Sequence, residues 1–526
     1  MQVVFRTDAS NFIGTGHVMR CLALADGLKS DGHRIKFVMR PQLGDLTKLI
    51  NSRGFEVALL PKLKTLVTPK HQADYDAWLQ VSQEQDSLNF IELIEQADLV
   101  IVDHYGIGID WENRIIAHFQ CQLAVIDDLL RSHSCDLLID QTLGRKPDEY
   151  RNLVVPQSCI LTGSEYALLK KDFSRIRKRA LNKSNQSPHK ILITMGGIDS
   201  LNVTTKVLEA LIDYKSSSSS FSDNIEFISV VINPQSPSYQ QVIEVINPHL
   251  GFIKQFDFVD NMAELMLEHT LSIGAPGATS WERACLGLPS VIIPLAENQR
   301  EVCQALVERC SAIKVELKDL SNNEDQTFSS ALTELINNYE VYRRNALLIC
   351  DGLGVKRLQA QFRRLAESTE PNSRKNGRFF RCRLAEQADV ELVFLWQKLP
   401  ETRRFALNPK IPSYKEHVAW MEAKLNSTDN YFYIIEVRKT NNEVQQAGVL
   451  RLDKIDKCSG LLVSVFIEPE QHGKGLAGQA LSEIISLHGD SDLFATILDK
   501  NIASRKLFLR AGFKPVGNQN YIKPSS

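Results

Sequence analysis

A histidine and an arginine follow two closely spaced glycines near the start of the chain. Gly14 and Gly16 come after a short apolar, strand-like run, and His17 and Arg20 open a segment of helical periodicity. Glycines let the backbone turn tightly against a ligand, and a helix start offers unpaired amide donors and partial positive charge. That charge disfavours an imidazolium, so we expect a neutral His17 that can accept a proton. A lone histidine near a helix start can also be purely structural.

A second arrangement of strand, glycine loop and helix occupies residues 270–286. Its amide groups suit a diphosphate. Glu282, in the first turn of the helix, is unsuited to phosphate and instead is placed to accept hydrogen bonds from both hydroxyls of a ribose; the alternative is an acid that stabilises the helix dipole. Another glycine loop follows the strand at 190–194. The residues assigned to substrate in these two loops are Gly196, Gly197, Gly277, Thr279, Ser280 and Glu282.

The composition excludes several classes of protein. The 526 residues suggest three or four domains. The 61 basic and 63 acidic side chains give a formal charge of −2, with no basic segment for nucleic acid. No apolar run reaches the ~18 residues that span a bilayer, and the first residues lack the segments of a secretion signal, so we predict a cytoplasmic protein without a membrane partner. Ten scattered cysteines favour free thiols over a metal site.

Strands that alternate with helices predict an α/β fold. The pattern runs through residues 1–180 and restarts for residues 187–365, which indicates two Rossmann-like domains with a ligand cleft at the carboxyl ends of their strands. A polar linker is predicted at 366–378. After it the pattern changes, and residues 379–526 are predicted to form a separate α+β domain.

The string Asp-Ala-Ser at 8–10, continued by Gly-Thr-Gly-His-Val-Met-Arg at 14–20, resembles the hydrolases of the pseudaminic acid pathway. The resemblance covers about the first 350 residues. It implies a GT-B arrangement of the two Rossmann-like domains, with the nucleotide held mainly by the second. It also implies cleavage of a UDP-linked 2,4-diacetamido-2,4,6-trideoxy-altropyranose into free sugar and UDP. Asp140 and Gln141 depart from the Asn-rich pair expected there. Further matching stretches are 102–106, 111–112, 126–128, 135–140, 195–199 and 273–282.

In this interpretation His17 deprotonates a water molecule that attacks the anomeric carbon with inversion, and no metal ion is needed. Arg20 and Gln299 are predicted to contact the substrate, and Tyr105 and Asn298 to line the sugar side. The resembling family has an active-site Asn in the segment of Asn298. Capping of the following helix is the alternative role for this residue.

The tail of the chain carries another phosphate-binding pattern. A strand at 461–467 leads through Gln-His-Gly-Lys-Gly into a helix, where successive amides suit a pyrophosphate. Together with a helix that starts near 501, this segment resembles the GNAT-type acetyltransferases and implies acetyl-CoA as the cosubstrate. The residues assigned to acetyl-CoA are Gln471, Gly473, Lys474, Gly475, Ala477, Asn501 and Ser504.

Two positions of the tail depart from the acetyltransferase pattern. His472 stands where Arg or Gln is usual, and Phe508 stands where many such enzymes have a Tyr that protonates the leaving thiolate. Glu468 and His417 are candidates to deprotonate an acceptor amine; the alternative is that both are ordinary surface residues.

The fusion suggests two consecutive reactions, because N-acetylation of the UDP-4-amino sugar precedes the hydrolysis in the pathway that the sequence resembles. UDP-sugar and acetyl-CoA are therefore the predicted ligands. Two alternatives stay open: a GT-B glycosyltransferase that uses an acceptor other than water, and a tail that binds CoA or a partner without catalysis. A dehydrogenase is disfavoured because the Gly14-Thr-Gly16 loop lacks a third glycine and no acidic residue ends the next strand.

Overall fold

A computed structural model describes residues 1–71, 73–183, 189–196, 199, 201–216, 225–320, 327–368, 379–438, 443–455 and 460–525. The chain divides into two compact units, residues 1–355 and 356–526. Of the predicted site residues, Gly197 lies outside the described residues, and only the backbone of Asn298 is described. No helix among the described residues has both the length and the apolar character needed to cross a bilayer.

The first unit begins with a sheet of seven parallel strands. Its elements are β1 (Gln2–Thr7), α1 (Gly16–Ser30), β2 (Arg34–Met39), α2 (Thr47–Ser52), β3 (Glu56–Leu59), α3 (Tyr75–Leu79), α4 (Gln83–Leu93), β4 (Leu99–Asp103), α5 (Ile109–Phe119), β5 (Gln122–Ile126), β6 (Leu137–Asp140), α6 (Pro147–Tyr150) and β7 (Cys159–Thr162). The strand order is β3-β2-β1-β4-β5-β6-β7. The order reverses between β1 and β4, and this switch point is where parallel sheets of this kind bind ligands.

The central strands of this sheet are buried on both faces and mostly apolar, with charged or polar residues only towards their ends. Every residue of β4 and β6 is buried, as are all but the first of β1. The side chains on one face, among them Val4, Val100 and Leu138, join one core cluster with Trp111 of α5. A strand buried on both faces keeps its carboxyl end fixed, so the loops that leave β1, β4 and β5 start from a rigid base.

A second parallel sheet completes the first unit. Its elements are α7 (Lys171–Leu181), β8 (His189–Thr194), α8 (Val203–Ser216), β9 (Ile225–Val231), α9 (Tyr239–Ile246), β10 (Ile253–Phe256), α10 (Met262–Glu268), β11 (Leu271–Gly274), α11 (Thr279–Cys285), β12 (Ser290–Ile292), α12 (Arg300–Glu308), β13 (Ala312–Lys314), α13 (Thr327–Asn337) and α14 (Tyr339–Ile349). The order β10-β9-β8-β11-β12-β13 reverses between β8 and β11, so a second switch point lies beside Gly196 and the loop after β11.

Helix α7 packs with the second sheet. Phe173, Ile176 and Ala180 lie in one core cluster with Trp281 of α11. Arg177 of the same helix donates hydrogen bonds to the carbonyl oxygens of Cys285, Leu347 and Cys350 at 2.6–2.9 Å. These bonds satisfy carbonyl groups at helix ends, where the helix leaves them without partners.

The second unit contains a mixed sheet. Its elements are α15 (Gly354–Ser368), β14 (Phe380–Leu384), α16 (Val390–Gln397), α17 (Pro400–Arg403), α18 (Tyr414–Leu425), β15 (Asn430–Arg438), β16 (Val444–Lys454), β17 (Leu461–Ile467), α19 (Leu476–His488), β18 (Leu493–Thr496), α20 (Ile502–Arg510), β19 (Lys514–Gly517) and β20 (Asn520–Lys523). The strand order is β14-β15-β16-β17-β18-β20-β19. The predicted architecture of two doubly wound domains and an α+β domain is thus confirmed.

One pair of strands in the mixed sheet separates soon after it forms. Strands β17 and β18 run parallel, and their pairing consists of Leu461 with Leu493 and Leu462 with Phe494. Strand β17 continues to Ile467 without a ladder partner in β18. A gap between two described strands therefore opens towards the carboxyl end of β17, where the glycine loop of the tail begins.

Candidate functional site

The imidazole of His17 lies at the switch point of the first sheet. His17 is the second residue of α1, and its Nδ1 is 2.5 Å from Oδ1 of Asp103, the last residue of the neighbouring strand β4. An ionised carboxylate only accepts hydrogen bonds, so Nδ1 carries the proton and donates. Nε2 then keeps its lone pair, which is the tautomer that a proton acceptor requires.

Asp103 also holds Arg20. The Arg20 guanidinium donates from Nε to Oδ2 and from Nη2 to Oδ1, both at 2.6 Å. Burial of Asp103 favours its neutral form, but the charge of Arg20 and the hydrogen bonds that Arg20 and His17 donate outweigh burial and lower the pKa of this carboxyl below its ordinary range. The carboxylate therefore stays ionised, and it can orient the imidazole at any pH near neutrality.

Tyr105 and Asp128 complete the group around His17. The Tyr105 hydroxyl donates to Oδ1 of Asp128, and Arg20 donates from Nη1 to Oδ2 of the same carboxylate at 3.2 Å. The Tyr105 ring meets the His17 ring edge to face at 4.6 Å. The structure thus brings together three predicted residues, His17, Arg20 and Tyr105. It adds two acids, Asp103 and Asp128, for which the sequence predicts no role in the reaction.

Three aromatic rings line one side of His17, and we call Tyr75, Trp78 and Tyr105 the aromatic wall. Their ring centroids are 4.9–5.7 Å apart, and Trp78 also meets His17 at 6.2 Å. Helix α3 carries Tyr75 and Trp78 and lies directly on Gly106, because a Cβ there would come within 2.5 Å of the Tyr75 carbonyl oxygen. Gly106 thus permits the approach that builds the wall.

Below the site lies a fully buried group of charges. Arg6 pairs with Asp8 and Asp86 at 2.8 Å, and Arg40 pairs with Asp86 at 2.8 Å; all four side chains have no solvent exposure. Two cations and two anions give a neutral group whose polar atoms are mostly paired, which is the condition for keeping charges inside a protein. It joins β1, the end of β2 and α4 immediately beneath the loop that carries His17.

The second switch point presents open backbone. Gly196 has a φ of +96°, and neither Gly196 nor Gly277 has another atom within 4 Å of the position that a Cβ would take. The loop after β11, which carries Gly277, is supported by Arg283, whose Nη2 donates to the Ala275 carbonyl oxygen and to Oγ of Ser280 at 2.8 and 3.0 Å. The backbone at Gly196 and Gly277 therefore remains approachable by a ligand, while the Gly277 amide itself donates to the Ala275 carbonyl oxygen at 3.0 Å.

The remaining predicted residues of the second half have distinct surroundings. Burial raises the pKa of Glu282 to about 7, against the opposing charges of Lys170 and Arg283. Thr279 starts α11. Oε1 of Gln299 accepts from the amide of Leu295 at 2.8 Å. Among the described residues, no hydrogen bond joins these groups to His17, Arg20 or Tyr105.

An ion-pair chain connects the two halves of the first unit. Arg145 donates from Nε to Asp140 at the end of β6 at 2.8 Å, and from Nη2 to Glu301 of α12 at 2.9 Å. Burial raises the pKa of Asp140 to about 6. Gln141 accepts from the Leu168 amide through Oε1 at 3.2 Å. The two positions that depart from the resembling family are thus internal contacts of this chain.

The tail's glycine loop has open space at two glycines. Gly473 and Gly475 have φ values of +76° and +77°, and no atom lies within 4 Å of either Cβ position. Gly475 is the N-cap of α19 and offers no side chain to the first amides of that helix. Lys474 donates from Nζ to Oε1 of Gln471 at 2.7 Å, and Ala477 lies in the first turn.

Four other predicted residues of the tail have internal partners. Asn501 caps α20, since its Oδ1 accepts from the Ser504 amide at 3.1 Å. Phe508 is buried in the core against Phe513, with ring centroids 4.9 Å apart. His417 is 1% exposed and donates from Nε2 to the Val390 carbonyl oxygen at 2.9 Å. A histidine so placed is a core residue, which leaves Glu468 as the remaining candidate for a base.

Among the described residues, no group of three or more His, Cys, Asp or Glu side chains has the arrangement of a metal site. Nine of the ten cysteines are described, and all nine are free thiols.

Two regions of the chain match models of known domain families. Residues 160–347 match the model of the glycosyltransferase family 28 C-terminal domain, and residues 380–514 match the acetyltransferase (GNAT) domain. The uncharacterized protein MJ1062 of Methanocaldococcus jannaschii is 27% identical over 534 residues, which cover 98% of this chain and 97% of that protein.

Two further proteins are similar to the first part. The UDP-2,4-diacetamido-2,4,6-trideoxy-beta-L-altropyranose hydrolase of Campylobacter jejuni is 26% identical over 311 residues, covering 59% of this chain and 97% of that enzyme. The crystal structure of MurG from Acinetobacter baumannii has a TM-score of 0.45 and 15% identity, and covers 66% of this chain and 94% of MurG. The chain therefore joins a region similar to the Campylobacter jejuni hydrolase, with a match to the glycosyltransferase family 28 C-terminal domain, to a region that matches the GNAT domain.

We predict that Asp103→Asn changes the tautomer of His17. Asparagine can donate to Nδ1 as well as accept from it, so the share of the Nε2–H form should rise. In the full chain labelled with nitrogen-15 histidine at pH 8, the wild type should show a protonated Nδ1 and a bare Nε2, and Asp103→Asn should show a mixture or the reverse. The exposed Asp110→Asn is the control, and an unchanged tautomer in Asp103→Asn would contradict the assignment.

We predict that Gly106→Ala displaces α3 and costs about 1–3 kcal/mol of stability through overpacking. Near-ultraviolet circular dichroism should lose intensity as Trp78 moves relative to Tyr105. Gly108→Ala is the matched control, because its Cβ would lie 3.7 Å from Gln83, an ordinary contact. Equal spectra and unfolding midpoints for the two variants would show that Gly106 does not position the aromatic wall.

We predict that Glu282→Gln stabilises the ligand-free protein at pH 8.5 and has little effect at pH 4.5. The folded state raises the pKa of Glu282 from 4.5 to about 7, so ionisation above pH 7 opposes folding, whereas near pH 4.5 the folded protein keeps the neutral form. The difference should be on the order of 1–2 kcal/mol after solvent screening. Unfolding midpoints measure it, with the exposed Glu308→Gln as control; equal effects at both pH values would refute it.

Proposed function

We propose that residues 1–365 form a cytoplasmic hydrolase that cleaves a UDP-linked 2,4-diacetamido-2,4,6-trideoxy-altropyranose to free sugar and UDP. Residues 1–180 and 187–365 are the predicted bounds of its two Rossmann-like halves, although α7 packs with the second of them. The observation that carries the proposal is the His17–Asp103 pair, which leaves a basic nitrogen at the switch point of a sheet. The homologous enzyme of Campylobacter jejuni supports the choice of substrate.

The reaction needs only a base, a positioned water molecule and a stabilised leaving group. Nε2 of His17 takes a proton from water, whose oxygen attacks the anomeric carbon from the side opposite the nucleotide. The bond from that carbon to the β-phosphate oxygen breaks, and UDP leaves with the bonding electrons. The sugar is released with inverted configuration. Asp103 stabilises the imidazolium that forms, as its ionised state at neutral pH allows.

The two halves of the hydrolase divide the substrate between them. The backbone around Gly196 and Gly277 would hold the diphosphate, and Glu282 the ribose hydroxyls, with Gly197, Thr279, Ser280 and Gln299 as further contacts. The sugar would lie against Tyr105 and the rest of the aromatic wall, with Asn298 as a further residue of the sugar side. Aromatic rings favour a sugar that presents acetamido methyl groups and a deoxy carbon, because these bury apolar surface.

We further propose that residues 379–526, joined through a linker at 366–378, transfer an acetyl group from acetyl-CoA to the 4-amine of the UDP-amino sugar that precedes the hydrolase substrate. The GNAT domain supports acetyl-CoA as the cosubstrate. The open amides from Gly473 to Ala477 suit its pyrophosphate, and the gap between β17 and β18 suits its extended arm. Asn501 and Ser504 lie at the start of the helix that follows β18.

The test combines both reactions in the full chain. Wild-type protein with acetyl-CoA and the UDP-4-amino sugar should give free CoA, UDP and a diacetamido sugar of inverted configuration, followed by NMR. His17→Asn should accumulate the acetylated UDP-sugar, with hydrolysis reduced about 10³-fold or more and UDP affinity retained. Excess chelator should leave hydrolysis unchanged, because no metal takes part in the proposed step.

Each alternative outcome rejects a defined part of the proposal. Cleavage that requires an added acceptor, with little free sugar in its absence, would identify a glycosyltransferase. Binding of acetyl-CoA without acetylated product would limit the tail to a binding module. Full hydrolysis by His17→Asn would remove His17 from the role of base.

A further inference from the structure

Arg283 brings a positive charge into the interior of the first unit. Its side chain is 1% exposed, and burial lowers its pKa to about 10, so the guanidinium is still a cation at neutral pH. It lies directly against the end of β11, because a Cβ at Gly274 would collide with Nη1. The protein therefore has to balance a buried charge next to the loop that carries Gly277.

The hydrogen bonds of Arg283 leave that charge unbalanced. Nη2 donates to the Ala275 carbonyl oxygen at 2.8 Å and to Oγ of Ser280 at 3.0 Å, and both acceptors are neutral. Nε and Nη1 are buried and have no hydrogen-bond partner among the described residues. A buried cation with unused donors is costly to the protein unless an anion completes its surroundings.

Other buried arginines of the first unit have more protein partners than Arg283. Arg6 and Arg40 pair with carboxylates, and Arg177 donates to three carbonyl oxygens. The charge of Glu282 acts on Arg283, but consecutive residues of a helix do not face each other. In the part of the chain that the structure describes, no hydrogen bond joins these two side chains. Arg283 thus has room for an anion from outside the protein.

A small cavity lies beside Arg283. Its volume is about 10 Å³, which is the space that one water molecule or one ion of similar size needs. Besides Arg283, its polar lining residues are Ser280, Ser290 and Ser311, and the other six are Ala, Leu or Ile. No acidic side chain of the described residues lines it. The cavity is therefore small and largely apolar, and it adjoins one cation that has no anionic partner.

The serine hydroxyls show which donors are free. Ser290 and Ser311 each donate to a backbone carbonyl oxygen, at 3.0 and 2.8 Å. Ser280 accepts from Arg283, and its own hydroxyl proton has no acceptor within the described ranges. The donors left at the cavity are therefore the Ser280 hydroxyl and the two nitrogens of Arg283 without a partner.

These properties select a small monovalent anion. A water molecule could accept the hydrogen bonds, but it would leave the buried charge uncompensated. Polyatomic anions such as sulfate and phosphate are too large for the cavity. Chloride is monatomic, accepts hydrogen bonds from guanidinium and hydroxyl groups, and neutralises one positive charge.

We propose that this cavity binds one chloride ion, which the guanidinium of Arg283 and the hydroxyl of Ser280 hold by hydrogen bonds. The ion balances the buried charge. It thereby stabilises the loop after β11, which Arg283 supports through the Ala275 carbonyl oxygen. The site goes beyond the proposed hydrolysis and does not depend on it.

The first test measures hydrogen–deuterium exchange of residues 271–286 in the full chain without substrates. Chloride is raised from about 5 to about 300 mM at pH 7.5, with sodium gluconate keeping the ionic strength constant because gluconate is too large for the cavity. Exchange should slow several-fold, since a ligand stabilises the state that binds it. Arg283→Met should show no chloride response, whereas the exposed Arg309→Met should respond as the wild type does. No response in the wild type, or an equal response in Arg283→Met, would overturn the proposal.

A second variant keeps the test decisive if Arg283→Met does not fold. Ser280→Ala keeps the guanidinium and removes the hydroxyl donor. The chloride concentration that gives half of the effect should therefore rise several-fold. An unchanged concentration would overturn the proposed site.

Crystals of the wild type grown with sodium bromide identify the ion itself, because bromide can replace chloride and scatters X-rays anomalously. An anomalous peak in the cavity, within hydrogen-bond distance of Arg283, would support the proposal together with the chloride response in solution. A water molecule without anomalous signal would overturn it. A bromide peak without any chloride response in solution would mean binding at crystal concentration only and would overturn it as well.

Discussion

The carboxylate of Asp103 determines which nitrogen of His17 can accept a proton. It is fully buried, and it holds both the imidazole of His17 and the guanidinium of Arg20. A buried anion with one cationic partner and one neutral donor stays ionised, and an ionised partner on Nδ1 defines which imidazole nitrogen can act as a base. The proton-accepting nitrogen thus depends on the end of β4 being fixed beside the start of α1, which the apolar central strands ensure.

In the proposed reactions both units hold a phosphate group mainly through open backbone at glycines. At Gly196 and Gly277 in the first unit, and at Gly473 and Gly475 in the second, the backbone lies open, with no atom within 4 Å of the position that a Cβ would take. Glycine is favoured at three of these four positions by positive φ and not by lack of space. This use of backbone donors is consistent with a chain of almost zero net charge.

Site residues that lie close together in the chain could be predicted from the sequence, whereas contacts between residues far apart in the chain could not. Gly14, Gly16 and His17 form one continuous motif, and strand, loop and helix follow each other within about 30 residues, as short-range patterns require. The bond from His17 to Asp103 crosses 86 positions, and nothing in a single sequence pairs them. Helix α3 is five residues long, which is too short to show a helical periodicity. No sequence pattern therefore indicates that Tyr75 and Trp78 lie at the site. The sequence shows that Phe508 lacks the hydroxyl of the Tyr that many acetyltransferases have at this position. Its burial in the core, however, follows only from the packing of α20.

Helix α7 has a consequence for how this protein can be divided. It precedes the second sheet in the chain, yet its apolar face and Arg177 complete the packing of α11 and α14. A gene fragment that ended after residue 181 would carry an orphan amphipathic helix, and its counterpart would expose the surface that the helix covers. Domain shuffling that respects the fold must therefore cut upstream of α7, so that the helix travels with the sheet it covers.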